Sequence, residues 1–293
     1  MTQTVAFIGL GNMGAPMAGN LVKAGFRVRG FDPAPEARDN AAARGIEIFA
    51  QAEMAVEGAD IVLTMLPSGA LVRRVWTEIA PHIADGTLMI DCSTIDVESA
   101  RAAHILFAGR CDTLDAPVSG GTGGAEAGSL TFMLGGRDHA VHRALPVLRP
   151  MAGRIVPCGG PGNGQAAKLC NNMILGISMI AVSEAFVLAE RLGLEHQALF
   201  DVASTSSGQC WSLTTYCPVP GPVPASPANR DYVPGFAAGL MLKDLRLARE
   251  AAEAAGAPTP LGHHAADLYT RFNEAGGAAQ DFSAIIRFLR AEG

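Results

Sequence analysis

Val5-Ala-Phe-Ile-Gly9-Leu-Gly11-Asn-Met-Gly14 is the stretch on which the fold turns. Strand-forming residues Val5 to Ile8 run into three glycines spaced G-x-G-x-x-G. Ala15 to Ala24 then carries apolar residues at helical spacing, and a second apolar run, Phe26 to Phe31, ends in Asp32. In a chain with 34 glycines among 293 residues the spacing alone is a weak signal. Its place between a strand and a helix gives it meaning. The first glycine permits a tight turn, the second lets a pyrophosphate approach the backbone, and the third lets helix and strand pack closely. The phosphates would rest on a helix N-terminus, where free N–H groups and the dipole favour an anion. Asp32 is expected to accept hydrogen bonds from the adenosine ribose hydroxyls. A carboxylate there repels a 2′-phosphate, and no arginine follows directly in Pro33-Ala-Pro-Glu36. NAD is therefore expected over NADP, with Arg38 near enough to keep NADP open.

The alternation continues outward from this unit. Ala59 to Met65 reads as a strand ending in Leu66-Pro67-Ser68, with a helix to about Trp76. Thr87 to Asp91 is the next strand, ending in Cys92-Ser93-Thr94-Ile95, and a helix follows from about Val97 to Ala108. Asp112 to Pro117, Leu130 to Gly136 and Arg154 to Cys158 read as further strands, with a helix around Ala140 to Leu148. Strands alternating with helices predict an α/β fold, here a Rossmann-type doubly wound, mainly parallel sheet over residues 1–161. Ligands bind beyond the carboxyl ends of such strands. The cofactor-binding candidates are therefore Gly9, Gly11, Asn12, Met13, Gly14, Asp32, Leu66, Pro67 and Thr94. Asp115-Ala-Pro-Val-Ser119-Gly120-Gly121-Thr-Gly-Gly124 is denser in glycine than a plain turn requires. Its consecutive backbone N–H groups could form a concavity for a carboxylate, or the stretch could be a flexible surface loop.

Composition narrows the classes. Hydrophobic residues make up 49% and charged residues 17%, ample for a large core and without the balance of a disordered chain. The net charge of −6 and the lack of a dense basic patch argue against nucleic acid or an anionic membrane surface as partner. The first residues show no basic region followed by an apolar core and cleavage site, so a cytoplasmic protein is expected. Six cysteines at 92, 111, 158, 170, 210 and 217 form no Cys-x-x-Cys pair. They are expected to be buried free thiols, with no metal site.

From Gly159 to Gly193 a Gly/Pro cluster leads into a proline-free apolar segment, read as one long interdomain helix over about 163–193. Its charge-free part, Leu169 to Ser183, holds Asn171, Asn172, Ser178 and Ser183 and is too short and polar for a membrane span. A helix apolar on nearly every side is expected to be buried in a soluble protein. Lys168 and Asn172 are four apart and share one face. The pair could be a solvated rim lysine and a structural amide. Alternatively, Lys168 in the first turn meets the positive end of the helix dipole, and partial burial would lower its pKa toward the range useful for proton transfer.

After Gly193 the strand signals stop, and helices are expected at about Gln197 to Ser204, Ala238 to Ala255, Leu261 to Ala275 and Ser283 to Arg290. Residues 162–293 are therefore expected to be an all-α C-terminal domain for substrate binding and oligomerisation. A loop from Ser206 to Phe236 carries six prolines together with Trp211, Tyr216 and Tyr232. A loop of this length in a compact domain is a lid or a binding wall. Trp211 and Phe236 could line such a wall or anchor the loop in the core. Lys243-Asp244 on the following helix reads as a solvated pair.

Four motifs in this order and spacing resemble the β-hydroxyacid dehydrogenases: Gly9-Leu-Gly-Asn-Met-Gly14, Asp115-Ala-Pro-Val-Ser-Gly-Gly121, Lys168-Leu-Cys-Asn-Asn172 and Lys243-Asp244-Leu245. Ser206-Ser-Gly-Gln-Cys-Trp211, Tyr216, Pro218-Val-Pro-Gly221 and Gly235-Phe236 look most like the 3-hydroxyisobutyrate dehydrogenase branch. Cys217 and the added prolines between 222 and 227 depart from that pattern. The resemblance implies NAD-dependent oxidation of 3-hydroxyisobutyrate to methylmalonate semialdehyde, as in valine degradation. It implies Lys168 as general acid/base, Asn172 holding the substrate oxygen, and Ser119, Gly120 and Gly121 binding the carboxylate. Trp211 and Phe236 would border the substrate, and Lys243 would lie near the cofactor. A homodimer or homotetramer is expected. The alternatives are a sister enzyme acting on tartronate semialdehyde, glyoxylate or succinic semialdehyde, and, more distantly, a non-catalytic NAD-binding module.

Overall fold

Val5, Ala6, Phe7 and Ile8 of β1 (Thr4–Ile8) are all buried, as in a parallel strand covered on both faces. The computed structural model describes residues 2–291 of the chain. After β1 come α1 (Gly14–Lys23) and β2 (Arg27–Phe31). Three elements not expected from the pattern follow: α2 (Pro35–Ala42), β3 (Glu47–Ile48) and α3 (Ala52–Val56). The expected alternation then resumes with β4 (Ile61–Thr64), α4 (Gly69–Ile79), β5 (Leu88–Asp91), α5 (Val97–Leu106) and β6 (Asp112–Asp115). Ser68 caps α4 by accepting the Leu71 amide at 3.3 Å, and Asp96 caps α5 by accepting that of Ser99 at 2.6 Å.

β1 to β6 pair in parallel in the order β3-β2-β1-β4-β5-β6. The winding direction reverses between β1 and β4, so their carboxyl ends open a crevice there. The sheet continues through β7 (Val118–Ser119), β8 (Leu130–Gly136) and β9 (Ala152–Gly159), with α6 (Gly121–Ala127) and α7 (Asp138–Leu148) between them. β8 runs antiparallel to β6 and β7 and parallel to β9, which makes the sheet mainly parallel. α6 replaces the glycine loop considered above.

The two-residue period of the strands sorts their side chains into two cores. Phe7, Leu63 and Ile90 pack with Met17 and Leu21 of α1 and with Val147 and Leu148 of α7. Ala6, Val62 and Met89 pack on the other face with Val72 and Trp76 of α4 and with Ala100 and Ala103 of α5.

The chain divides into two compact units, Met1–Lys168 and Leu169–Gly293. The division falls inside α8 (Asn163–Arg191), which starts directly after the Gly/Pro cluster. The second unit adds α9 (His196–Thr205), α10 (Trp211–Thr214), α11 (Ala238–Ala255), α12 (Pro260–Glu274) and α13 (Ile285–Ala291). Its core gathers Met179 and Phe186 of α8, Met241 and Leu245 of α11, Tyr269 of α12 and Phe282. A Cβ on Gly176 would lie 2.9 Å from Leu245 Cδ2, so the glycine lets α11 approach α8 closely.

Three expectations need correction. Only Cys92 and Cys217 are buried, while Cys170 is exposed; all six are free thiols. α8 is not covered on every side, because Ile174 and Leu188 lie 65% and 60% exposed. Among the described residues it is one helix long and apolar enough to cross a membrane, yet its own packing buries part of it in the second unit's core. The Ser206–Phe236 segment is no bare loop: α10 and a 3-10 turn at Pro227–Arg230 break it up.

Candidate active site

The turn after β1 has the shape a pyrophosphate needs. Gly9 adopts φ +95°, and a Cβ there would lie 2.3 Å from the Met65 carbonyl oxygen. A Cβ on Gly14 would lie 1.9 Å from the Gly9 oxygen, so helix and turn touch through bare backbone. Beside Gly11 nothing lies within 4 Å of an added Cβ, leaving that side open to a ligand. Asn12 and Met13 complete the turn, and α1 begins with neither a capping side chain nor an acidic residue in its first turn. Its free N–H groups thus fit an anion, and these residues fit a dinucleotide.

Asp32 follows β2 and fixes the turn from the side. Its Oδ2 accepts the Leu10 amide at 2.8 Å, and its Oδ1 accepts the Ala34 amide at 2.8 Å. Each carboxylate oxygen keeps a second lone pair for a ribose hydroxyl. Arg38 Nη1 donates to the Asp32 carbonyl at 3.2 Å, which puts a guanidinium at the same corner.

The carboxyl ends of β4 and β5 are joined by polar side chains that the sequence candidates did not include. The Leu66 amide donates to Ser93 Oγ at 2.8 Å, and Ser93 Oγ donates to Asp91 Oδ1 at 2.6 Å. Thr64 Oγ1 donates to the same Asp91 oxygen at 2.7 Å, and Trp76 Nε1 donates to Thr64 at 3.2 Å. Asp91 is buried, and its Oδ2 has no partner. Burial raises its pKa to about 6, against the lowering effect of the bonds from Ser93 and Thr64. The network brings Leu66, and Pro67 after it, alongside the Ser93-Thr94-Ile95 turn. Leu66 also packs on the glycine turn, with its Cδ2 3.1 Å from a Cβ built on Gly9. A carboxylate closing the otherwise apolar run Leu-Met-Ile-Asp91 was the signal available for this network.

Asp115, at the end of β6, holds the start of α8. Its Oδ1 accepts the Gly162 amide at 2.8 Å and its Oδ2 that of Gln165 at 2.9 Å. His104 Nε2 lies 2.9 Å from Asp115 Oδ1, and His104 Nδ1 lies 2.6 Å from Thr113 Oγ1. Ser119 pairs with Thr131 in the β7–β8 ladder. Gly120 and Gly121 turn from that strand into α6 with φ +137° and +62°.

Lys168 is only 7% exposed and Asn172 1%. Both lie on α8, one turn apart. Lys168 is the sixth residue of that helix and so sits in its second turn, beyond the strongest reach of the helix dipole. Burial, rather than the dipole, sets its surroundings.

Asn172 Nδ2 donates to Asp244 Oδ2 at 2.5 Å, and its Oδ1 accepts from Asn171 at 3.0 Å. An amide nitrogen has a second N–H, which keeps Asn172 able to donate to a ligand oxygen. Asp244 is buried, and Lys243 Nζ lies 3.6 Å from its Oδ1. Lys243-Asp244 is therefore not a solvated pair: the carboxylate points inward and orients the asparagine. Asp244 is missing from the sequence candidates although it stands in a motif quoted there.

Trp211 is about half exposed and stacks on Tyr216 at 4.9 Å. Tyr216 stacks on Phe282, which meets Phe236 edge-on at 5.7 Å. Phe236 is packed against the second unit's core, whereas Trp211 leaves much of its ring on the surface.

Comparison with known proteins agrees with both halves. The model for the NAD-binding domain of 6-phosphogluconate dehydrogenase matches residues 4–160. The model described as the NAD-binding domain of NADP-dependent 3-hydroxyisobutyrate dehydrogenase matches residues 162–289. A probable 3-hydroxyisobutyrate dehydrogenase of Mycobacterium tuberculosis is 57% identical over 98% of both chains. An NAD-dependent L-serine dehydrogenase of Pseudomonas aeruginosa is 46% identical over 97% of both. The solved structure of the Mycobacterium tuberculosis 3-hydroxyisobutyrate dehydrogenase with L-serine superposes with a TM-score of 0.96 at 56% identity, covering 99% of this chain and 100% of that one. On this identity, sustained over almost its whole length, the chain belongs to the 3-hydroxyisobutyrate dehydrogenase family of nicotinamide-dependent oxidoreductases.

Proposed function

We propose that the protein oxidises 3-hydroxyisobutyrate to methylmalonate semialdehyde with NAD, with Lys168 as general acid/base. The observation that carries the reading is the buried amine of Lys168 one turn from a buried asparagine whose amide is oriented by Asp244. A surface lysine beside a structural amide would have neither the burial nor the carboxylate. Bound NAD supplies the hydride acceptor. Lys168 takes the hydroxyl proton as the carbinol C–H bond breaks with its electron pair, and the oxygen becomes the aldehyde carbonyl. Asn172 donates to that oxygen and holds it in line. Backbone N–H groups of Ser119, Gly120 and Gly121 receive the carboxylate, while Trp211 and Phe236 border the methyl group. Lys243 adds positive charge near the cofactor. The Asp32 carboxylate supports NAD over NADP, although Arg38 at the same corner favours some NADP use.

In this reading residues 1–161 bind the dinucleotide, and residues 162–293 bind substrate and form a homodimer or homotetramer. The free thiols support a cytoplasmic setting. The step is of the kind found in valine degradation.

A second substrate, L-serine, is favoured by the similarity to the Pseudomonas aeruginosa L-serine dehydrogenase. Serine is the same hydroxyacid skeleton with an ammonium in place of the methyl group. Initial rates on (S)-3-hydroxyisobutyrate and L-serine with NAD and NADP side by side, and on the small semialdehydes with NADH and NADPH, test the reading. Catalytic efficiency should be highest for 3-hydroxyisobutyrate with NAD, and no NADH formation from any hydroxyacid would reject the proposal. Lys168→Ala should lower kcat by about 100-fold or more while NADH still binds. A rate near wild type would remove Lys168 from the proton-transfer role.

A further inference from the structure

Gln165 is a fully buried polar side chain that the mechanism above does not use. Its Nε2 donates to the Ser93 carbonyl at 2.7 Å, and its Oε1 accepts the Ile95 amide at 3.1 Å. One amide thus grips the backbone on both sides of Thr94. Gln165 is itself fixed, because its own backbone N–H donates to Asp115 Oδ2 at 2.9 Å. It precedes Lys168 by three residues in the opening of α8, so the two lie on neighbouring parts of one helix surface. Ser93, the other end of the grip, is tied through its hydroxyl to Asp91 and to the Leu66 amide.

A core glutamine is a costly choice unless both its donor and its acceptor are used, and an apolar side chain would fill the same volume. Here each half of the amide meets the complementary backbone group. The same side chain links the turn at the carboxyl end of β5 to the helix that carries the proton-transfer lysine.

We propose that Gln165 is a positioning residue: its amide sets the separation between the Thr94 turn and Lys168, and so the alignment of cofactor and proton acceptor. The inference rests on the function proposed above. Gln165→Met keeps the length and removes both hydrogen bonds. Gln165→Glu reproduces both when its carboxyl is protonated, with the O–H donating to Ser93 and the C=O accepting from Ile95. The titratable groups around the position are Asp91 behind Ser93, Asp115 and, through it, His104, together with Lys168 on α8. All are also present in wild type, so the ratio of variant to wild-type rate at each pH reports what the new carboxyl adds, its coupling to them included.

The test measures kcat and KM of wild type and both variants on whichever hydroxyacid wild type oxidises, with NADH affinity by fluorescence titration and thermal melts alongside. Gln165→Met should lose about 10- to 100-fold in kcat with a smaller change in the KM for hydroxyacid. NADH should bind about fivefold more weakly to it, through the loosened Thr94 turn. The Gln165→Glu to wild-type ratio should rise at least about fivefold between pH 8 and pH 6, since burial keeps that carboxyl protonated into this range. A merely structural glutamine would lower the melting temperature of Gln165→Met and leave that ratio flat. A flat ratio, or a Gln165→Met kcat within twofold of wild type, overturns the proposal. If Gln165→Met does not fold, the pH ratio of Gln165→Glu decides alone. Should wild type oxidise no hydroxyacid, the functional reading fails, and NADH titration of the same variants still decides: equal affinity across them overturns the role of Gln165.

Discussion

Asp91 ends β5 with one carboxylate oxygen accepting from Thr64 and Ser93 and the other buried without a partner. Desolvation outweighs those bonds, and its pKa rises from 3.8 to about 6. The folded state therefore binds this proton more tightly than the unfolded chain does. Stability from the protonated form is complete below the unfolded value and is lost as pH rises through about 6. Ionisation of this single group should cost about 2 kcal/mol between pH 4 and pH 7. Asp91→Asn cannot ionise, so its unfolding free energy in urea should lack that slope. Relative to wild type it should gain steadily over this interval. Parallel curves for the two proteins would show that the carboxyl is already neutralised by something other than its own proton. The group is worth this cost if it fixes the Ser93 hydroxyl that receives the Leu66 amide, a link between two turns at the cofactor edge.

α8 was legible from the sequence as an element, because a Gly/Pro cluster and a long apolar run mark its start and extent. What its start rests on was not. Gly164 lies in its first turn, where a Cβ would lie 2.4 Å from the Met133 carbonyl oxygen and 2.8 Å from Asp115 Oδ2. Gly164→Ala should therefore push the helix off its carboxylate cap and cost roughly 2 kcal/mol or more, although alanine is the better helix former. A denaturation midpoint equal to wild type would contradict the close packing. The strands of the main sheet were legible from their apolar runs. α2, with the polar sequence PEARDNAA, and the two-residue β3 carry no such pattern. α6 was hidden because a helix of sequence GTGGAEA contradicts intrinsic propensity and is held by its surroundings. In the same way the residues of the candidate site could be named from their motifs, whereas Asp244, Gln165 and Asp91 could not. Their roles come from partners far away in sequence, such as Asn172 for Asp244.

At the scale of the molecule, the apolar residues form three cores, and the structure shows where apolar surface is left over. Ile174, Ala181 and Leu188 recur every seven residues along α8, with Leu192 just beyond its end. All are exposed, Leu192 to 74%. Large apolar side chains in a row on one helix face mark a surface that a partner covers. The self-complementary patch of a two-fold dimer is the simplest arrangement, since each copy brings the same stripe. Sedimentation of the wild type should give a dimer or tetramer at micromolar concentration. Ile174→Glu combined with Leu188→Glu should shift it toward monomer, because an introduced carboxylate cannot be buried against its own copy without several kcal/mol of penalty. Each substituted side chain is exposed, so the thermal melt of the isolated chain should move little, separating lost assembly from lost folding. A wild type that sediments as a monomer, or a variant that stays assembled, would place the subunit contact elsewhere and leave this stripe to another role.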